Sequence, residues 1–208
     1  VQHPERLLGG AVGGDGDVCV VLSGEPGAAT CRLRTIALAD GTERASTTVP
    51  ISDQVGLPGY VHAADGVVVS DVDTGGVAAF DRDTGARRWR RRHGTGVTPP
   101  LTVVDGTVYL KGSPEQEVGE MAVDLQTGAV EWEITPDGSG QCCTVAPAVA
   151  TDRAYIANTA DSGLVGVDDT GTIRWRYEGD AVPAAKPAVD EDSLYIPAED
   201  GRLYHVSR

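Results

Sequence analysis

Three times in this chain a tryptophan follows four residues after a glycine, and these glycine–tryptophan pairs are 43 residues apart. The glycines are Gly85, Gly128 and Gly171, and the tryptophans that follow them, the only three in the chain, are Trp89, Trp132 and Trp175. The segments around them, DRDTGARRW, DLQTGAVEW and VDDTGTIRW, share the same turn residues. A fixed period of this length indicates supersecondary units that stack on one another, so the chain is predicted to be a repeat protein.

Other positions keep nearly the same spacing. Each of the segments PLTVVDGTVYL, PAVATDRAYI and PAVDEDSLYI carries an aspartate five residues after its proline and a tyrosine near its end. Looser copies are PGYVHAADGVVV from Pro58 and GGAVGGDGDVCVV from Gly9. Val, Ile, Tyr and Thr dominate the apolar runs, and Gly, Asp and Pro separate them, as strands and hairpin turns require. Each unit is therefore predicted to form four short strands.

Four strands in each unit of about 40 to 45 residues are typical of a β-propeller blade. We predict an all-β fold, a β-propeller of four-stranded antiparallel blades with about five repeats in one domain over residues 1–208. The approximate blades are 9–50, 58–93, 98–135, 143–179 and 185–208, the last of them completed by an N-terminal strand at 2–8. Such a ring leaves few strand edges exposed.

The tryptophan period has a physical explanation in this fold. The sequence Asp-x-x-Thr-Gly predicts the turn between the third and fourth strands, because Asp and Thr side chains bond nearby backbone and Gly adopts positive φ without strain. Trp89, Trp132 and Trp175 would then occupy equivalent, largely buried positions beside the next blade. The first copy, IALADGTERA, has Ala45 where a tryptophan would stand.

The segments AFDRDTGARRW and AVDLQTGAVEW resemble the tryptophan-docking motif of the PQQ-like (quinoprotein-type) propeller repeat family. DGTVYL, DRAYIAN and DSLYIPAEDGRLYHV are similar to the same repeat, so the resemblance covers most of residues 58–208. Members usually have about seven or eight blades, which makes part of a larger ring the alternative to a five-bladed one. The resemblance implies a non-catalytic extracytoplasmic domain that acts as a binding scaffold or sensor. The alternative is a PQQ-dependent dehydrogenase or a fragment of one.

The net charge and hydropathy of the sequence exclude some kinds of binding partner. The net charge of −14 argues against nucleic acid and anionic membranes, and no apolar run is long enough to span a bilayer. A protein or small-molecule ligand at a propeller face is the expected partner. Because the sequence begins at Val1 with no leader, we expect a processed chain or a piece of a longer protein.

The four cysteines, Cys19, Cys31, Cys142 and Cys143, contain no C-x-x-C pair, which disfavours a zinc ribbon or a thioredoxin-type site. An even number allows two disulfides in three connectivities and favours an oxidising compartment. A hairpin centred near Glu25 would set Cys19 opposite Cys31, within reach of a disulfide. If those two are joined, Cys142 and Cys143 are left to bond to each other.

The adjacent pair Cys142 and Cys143 is the one sequence feature that suggests a bound cofactor. The resemblance to quinone-dependent dehydrogenases implies that Cys142 and Cys143 could lie over PQQ, with Ca²⁺ held by carboxylate and amide oxygens. A structural vicinal disulfide or two reduced thiols remain the alternatives. Asn158, Asp161 and Glu199 do not form a recognisable ligand set in the sequence. We therefore expect no catalytic residue, no metal and no cofactor, with PQQ and Ca²⁺ as the alternative.

Two further motifs have simpler explanations. RRWRRRH, residues 87–93, could bind an acidic group, but it also suits an outermost strand whose charges discourage edge-to-edge pairing. DVDTGG, from Asp71, begins like a calcium loop but predicts a hairpin turn, because the loop's last ligand position would be Arg82. The histidines show no ligand spacing: His3, His62, His93 and His205.

Overall fold

The structure is a computed structural model in which every regular element of the described part is a β-strand. It describes residues 6–12, 17–25, 28–50, 61–65, 67–71, 76–92, 101–111, 120–134, 148–150, 153–158, 163–177, 179 and 182–207. Within those ranges, no helix is long and apolar enough to cross a bilayer. The prediction of an all-β chain is confirmed.

Nineteen strands in the described ranges form five antiparallel sheets. The first sheet contains β1 Arg6–Val12, β2 Val18–Gly24, β3 Thr30–Ala37 and β4 Glu43–Pro50. The second contains β5 Val61–Ala64, β6 Val67–Asp71, β7 Gly76–Asp81 and β8 Arg87–Arg92. The third contains β9 Leu101–Val104, β10 Thr107–Lys111, β11 Glu120–Asp124 and β12 Val130–Ile134. The fourth contains β13 Ala148–Ala150, β14 Arg153–Asn158, β15 Gly163–Val167 and β16 Ile173–Tyr177, and the fifth β17 Ala188–Val189, β18 Ser193–Pro197 and β19 Leu203–Ser207.

Strand order follows chain order in every sheet, as in a run of hairpins. Four of the sheets have four strands, and the described part of the fifth has three. The five sheets coincide with the five predicted repeats. The predicted closing strand at residues 2–8 is wrong from residue 6 onward, because Arg6 and Leu7 pair with Gly24 and Ser23 of β2. That stretch belongs to one continuous strand of the first sheet; residues 2–5 lie outside the described part.

The chain divides into two compact units. Unit 1 comprises Val1–Thr98 and Asp124–Gly128, and unit 2 comprises Pro99–Val123 and Ala129–Arg208. Unit 1 thus contains the first two sheets together with the turn that connects β11 to β12. Unit 2 contains the strands of the other three sheets.

The core of unit 1 lies between its two sheets. Alternate residues of β2, such as Val20 and Leu22, have no exposed surface, as the two-residue period of a strand requires. They pack in one cluster with Val49 of β4 and with Ala78 and Phe80 of β7. This cluster joins the first and second sheets.

Unit 2 is built in the same way. One cluster joins Ala122 and Trp132 of the third sheet to Ile156 and Val165 of the fourth. Another joins Tyr155 of the fourth sheet to Leu194 of the fifth. Burying such side chains contributes roughly 1.5–3 kcal/mol each, so within each unit neighbouring sheets stabilise one another.

The two described cysteines do not form the expected disulfide. β2 and β3 form the predicted hairpin, but Cys19 pairs with Ile36, five residues beyond Cys31. An odd offset places two side chains on opposite faces of a sheet, so the predicted opposition of Cys19 and Cys31 is wrong. Both are free thiols, and burial raises the pKa of Cys31 to about 11.

Candidate functional site

The aspartate that opens each of the three turns before a tryptophan is a structural acceptor. One oxygen of Asp81 accepts hydrogen bonds from the backbone N–H groups of Asp83 and Thr84, and from the Thr84 hydroxyl at 2.8 Å. Its other oxygen accepts from Arg88 at 2.7 Å. Gly85 closes the turn with φ of +70°. The Arg88 hydrogen bond, followed by those from Thr84, holds the pKa of Asp81 well below its usual range.

The next two turns repeat this arrangement. Hydrogen bonds from the hydroxyl and backbone N–H of Thr127 lower the pKa of Asp124. Hydrogen bonds from the Thr170 hydroxyl and then from Arg174 lower the pKa of Asp168. Their hydrogen bonds favour the ionised form of these carboxylates, so they serve as turn residues and not as proton carriers.

A β-bulge precedes the tryptophan position in four sheets. The pairing register shifts by one residue just before Trp89, Trp132 and Trp175, and in the first sheet it shifts just before Ala45. A bulge re-aims the side chains that follow it. The shared bulge shows that Ala45 is the structural counterpart of the three tryptophans.

Trp89 packs on the turn of the following repeat, and both belong to unit 1. Its side chain is 8% exposed, and its indole N–H donates to the Leu125 carbonyl at 2.8 Å. A Cβ built on Gly128 would lie 2.6 Å from the indole Cγ. Because real Cβ atoms essentially never come so close, this turn requires glycine both for its φ of +70° and for the indole.

Trp132 repeats this contact within unit 2. It is 7% exposed, and a Cβ on Gly171 would lie 2.7 Å from the Trp132 Cβ. Tyr109 also packs against it, with the ring centroids 6.0 Å apart.

Trp175 differs, and the prediction of three equivalent buried tryptophans is wrong for this one. Its side chain is only half-buried, and it packs edge-on against Tyr155 at 5.7 Å. The corresponding turn of the fifth sheet is the shorter AEDG, where nothing lies within 4 Å of a Cβ built on Gly201. Because the turn of the fifth sheet does not close on it as the Gly171 turn closes on Trp132, the third indole keeps part of its surface in water.

A cleft of about 330 Å³ opens between the first and second sheets of unit 1. Its lining residues are Thr47, Thr48, Val49, Pro50, Ala78, Phe80, Arg87 and Arg90. Val49, Ala78 and Phe80 are each less than 5% exposed and belong to the packed core of unit 1, so they present little surface to the cleft. The two arginines of the lining are exposed.

The pairing of β7 with β8 explains why arginines reach this cleft. Arg87 pairs with Phe80, and Arg90 pairs with Ala78. Directly paired residues project from the same face of a sheet, so these arginines share the face that packs on the first sheet. Trp89 pairs with Ala79 and lies on the opposite face. β8 is an edge strand, as predicted, but its arginines divide between two faces.

Several of the residues considered as cofactor or metal ligands lie outside the described residues, and the others do not come together in one site. Cys142, Cys143 and Asp161 are outside the described part, and only the backbone of Asn158 is described. Glu199 is exposed in a turn. Within the described ranges, no three His, Cys, Asp or Glu side chains lie close enough together to hold a metal ion. These ranges supply no donor set that fits PQQ with Ca²⁺.

The two described histidines have local partners. His205 stacks on Tyr195 with the ring centroids 5.2 Å apart, and its Nε2 lies 2.9 Å from the Ser193 Oγ. His62 is half-buried in β5.

A further polar contact, missed by the sequence analysis, joins Lys186 Nζ to Thr102 Oγ1 at 3.0 Å within unit 2, and desolvation lowers the pKa of Lys186.

A family model of PQQ-like repeats, described as outer membrane protein assembly factor BamB, matches residues 73–208. This chain belongs to that family. Its repeats are PQQ-like repeats, and its fold is that of a β-propeller protein. The number of blades and the closure of a ring stay predictions. Comparison with curated proteins gave no significant match.

Solved structures show the same fold. BamB from Moraxella catarrhalis matches all of this chain with a TM-score of 0.69 and 19% identity. A europium-containing methanol dehydrogenase matches 98% of it with a TM-score of 0.67 and 15% identity. Quinohemoprotein alcohol dehydrogenase from Comamonas testosteroni matches 92% with a TM-score of 0.66 and 14% identity. This chain spans 60%, 51% and 40% of those three chains, respectively.

Proposed function

We propose that this chain is a non-catalytic, extracytoplasmic binding domain that acts as a protein-binding scaffold or sensor. The observation that carries the proposal is membership of a family described as an outer membrane protein assembly factor, matched over residues 73–208. The same description supports a location outside the cytoplasm. The cysteines lend no support to that location, because Cys19 and Cys31 are free thiols.

The chemistry of the repeat turns supports binding over catalysis. Asp81, Asp124 and Asp168 accept several hydrogen bonds each and have lowered pKa values. A general base works best with a pKa near the operating pH. These aspartates are therefore suited to holding turns, and through the turns they hold Gly128 and Gly171 against the tryptophans. A rigid frame of this kind can present loops to a partner.

A PQQ-dependent dehydrogenase is the second candidate. Similarity in fold to a methanol dehydrogenase and an alcohol dehydrogenase favours it, together with the adjacent Cys142 and Cys143. Fold alone does not establish activity. We propose that Cys142 and Cys143 bond to each other and that no quinone lies over them.

Two measurements separate these candidates. The protein is incubated with PQQ and Ca²⁺ and desalted, and then quinone absorbance and dye-linked alcohol oxidation are recorded. The scaffold predicts neither retention nor turnover, whereas stoichiometric retention with turnover would establish the dehydrogenase. In parallel, a photo-crosslinking residue replaces either exposed Asp83 or exposed Arg202 of the full-length protein in its own cells. A discrete crosslinked protein at one position supports the scaffold, and no crosslinked protein at either contradicts it.

A further inference from the structure

The fifth sheet differs from the others at the edge of β19. In the other four sheets a fourth strand pairs with the third, whereas among the described strands β19 has one neighbour, β18. The third strands β7 and β11 are buried over almost their whole length, but β19 alternates between exposed and half-buried residues. Leu203, at the start of β19, is 67% exposed. In the described part of the chain, one edge of β19 is therefore unpaired.

Alternate residues of β19 direct their backbone groups to that edge. The Ala198 N–H donates to the Arg202 carbonyl at 2.9 Å, which fixes the phase of the β18–β19 ladder. Because hydrogen-bonded and non-hydrogen-bonded pairs alternate along an antiparallel ladder, the N–H and C=O groups of Leu203, His205 and Ser207 point away from β18. An extended chain beside β19 would meet a donor and an acceptor at each of these residues.

The composition of β19 is that of a covered strand. The fourth strands β4, β8, β12 and β16 each carry at least two Arg or Glu side chains, and charges of this kind discourage pairing with a foreign strand. β19 has the sequence LYHVS and contains none of them. Its Tyr and Val residues also favour extended structure. This edge therefore lacks the protection that the chain gives to its other outer strands.

The half-buried Trp175 lies where a strand beside β19 would cover it. In the third sheet, Trp132 is 7% exposed and belongs to a cluster against which Ile173, on the fourth strand of the next sheet, is packed. Trp175 packs with Tyr204 and Val206 of β19 but stays half-buried. An apolar side chain on an added fourth strand would pack on Trp175 as Ile173 packs on the cluster of Trp132.

The charge around β19 favours a cationic partner. Five exposed acidic residues lie in the two turns of the fifth sheet: Asp190, Glu191, Asp192, Glu199 and Asp200. Within residues 182–207 there are two basic residues, Lys186 and Arg202. Pairing of Ser193 with Ser207 brings the first turn to one end of β19, and the second turn leads directly into the other end. Asp190 and Asp200 already accept hydrogen bonds within the sheet, so the acidic turns act through their summed charge, which attracts and selects a partner of opposite sign.

We propose that β19 binds an extended, cationic segment of a partner protein as the fourth strand of the fifth sheet. In this mode of recognition, main-chain hydrogen bonds supply affinity and alternate side chains supply specificity. The outward backbone groups of β19 provide the first, and Trp175 with the acidic turns provides the second. The proposed pairing rests on the protein-binding role given above and assigns that role to one surface.

Two peptides copied from this chain test the pairing. TIRWRYE (residues 172–178) and AVEWEIT (residues 129–135) are both fourth-strand sequences, with arginine in one where the other has glutamate. Each carries fluorescein and is titrated with the full-length protein, and fluorescence anisotropy reports binding. TIRWRYE should bind with a Kd of roughly 0.1 mM, and AVEWEIT at least about tenfold more weakly because of the acidic turns.

N-methylated peptides test whether the contact is a strand ladder. Two forms of TIRWRYE are made, each methylated on one of the two alternating sets of backbone nitrogens. Only one set can face β19, because successive N–H groups of a strand point to opposite edges. One form should therefore lose binding and the other should keep it.

Variants of the protein locate the site. His205→Pro removes an outward N–H, as an edge strand tolerates, and Leu203→Lys adds a cation at the edge. Each should weaken TIRWRYE binding by at least about tenfold while circular dichroism shows a folded protein. Leu38→Lys is the matched control, because Leu38 is 50% exposed in unit 1 and the substitution changes the net charge equally, so binding should be unchanged.

Fluorine NMR identifies the side chain that is covered. Protein labelled with fluorotryptophan gives three resonances, one for each tryptophan, and Trp175→Phe assigns the third of them. Unlabelled TIRWRYE should shift the Trp175 resonance and leave that of Trp89, in unit 1, unchanged.

Several results would overturn the proposal. They are the absence of saturable TIRWRYE binding, equal binding of AVEWEIT, equal effects of the two methylated sets, and unchanged affinity in folded His205→Pro. A dimer in light scattering that His205→Pro dissociates would assign the edge to a second copy of the chain and would also overturn it. If the peptide does not bind while crosslinking at Asp83 yields a discrete partner, the proposed pairing fails and the protein-binding role stands.

Discussion

Replacing Gly128 with alanine tests whether the tryptophan on the preceding sheet fixes the turn. Gly128 has φ of +70°, and a Cβ there would lie 2.6 Å from Cγ and 2.7 Å from Cδ2 of Trp89. The indole cannot retreat without breaking its 2.8 Å hydrogen bond to the Leu125 carbonyl. Gly41 is the matched control, because it has φ of +72° in the turn between β3 and β4 but nothing within 4 Å of its Cβ position.

The magnitudes follow from two separate costs. A left-handed backbone costs a non-glycine residue about 1–2 kcal/mol, and both variants pay it. Overpacking against the indole adds about 1–3 kcal/mol for Gly128→Ala alone. Gly41→Ala should therefore lower the free energy of unfolding by about 1–2 kcal/mol, and Gly128→Ala by about 2–5 kcal/mol.

The assay is urea unfolding of the whole chain, followed by circular dichroism. Trp89→Ala alone should cost about 3–5 kcal/mol. In that background the methyl group of Gly128→Ala no longer meets an indole, so the double variant should be about 1–3 kcal/mol more stable than the sum of the single changes predicts. Equal losses for Gly128→Ala and Gly41→Ala, or strict additivity with Trp89→Ala, would refute this reasoning.

Three further outcomes are expected. Alkylation and mass spectrometry without reduction should find Cys19 and Cys31 unlinked, and Cys31 should react slowly below about pH 11, the value to which burial raises its pKa. Asp124→Asn should destabilise the chain at neutral pH but progressively less below about pH 4, because the lowered pKa of Asp124 contributes stability that is lost as the carboxylate protonates. Acrylamide should quench half-buried Trp175 more than Trp132 in single-tryptophan variants; equal quenching would contradict the difference in burial.

The sequence by itself determined the repeat and its strands. Spacing alone placed Gly85, Gly128 and Gly171 in turns with positive φ, as the structure shows. Local physics is sufficient for this, because turn residues and strand alternation act over a few neighbouring positions. The half-buried state of Trp175 could not be read in the same way, since it depends on the turn that a different sheet presents to it.

Pairing register was decided only by the tertiary structure. The hairpin of Cys19 and Cys31 was predictable, but a loop of uncertain length leaves the register free by several residues. An odd offset is enough to turn one thiol to the other face. The pairing register of β8 likewise places Arg87 and Arg90 on the face that lines the cleft and Trp89 on the face that contacts the Asp124–Gly128 turn. This division between the two faces is set by a one-residue bulge in the pairing of β7 with β8. Nothing in the sequence RRWRRR indicates where that bulge lies.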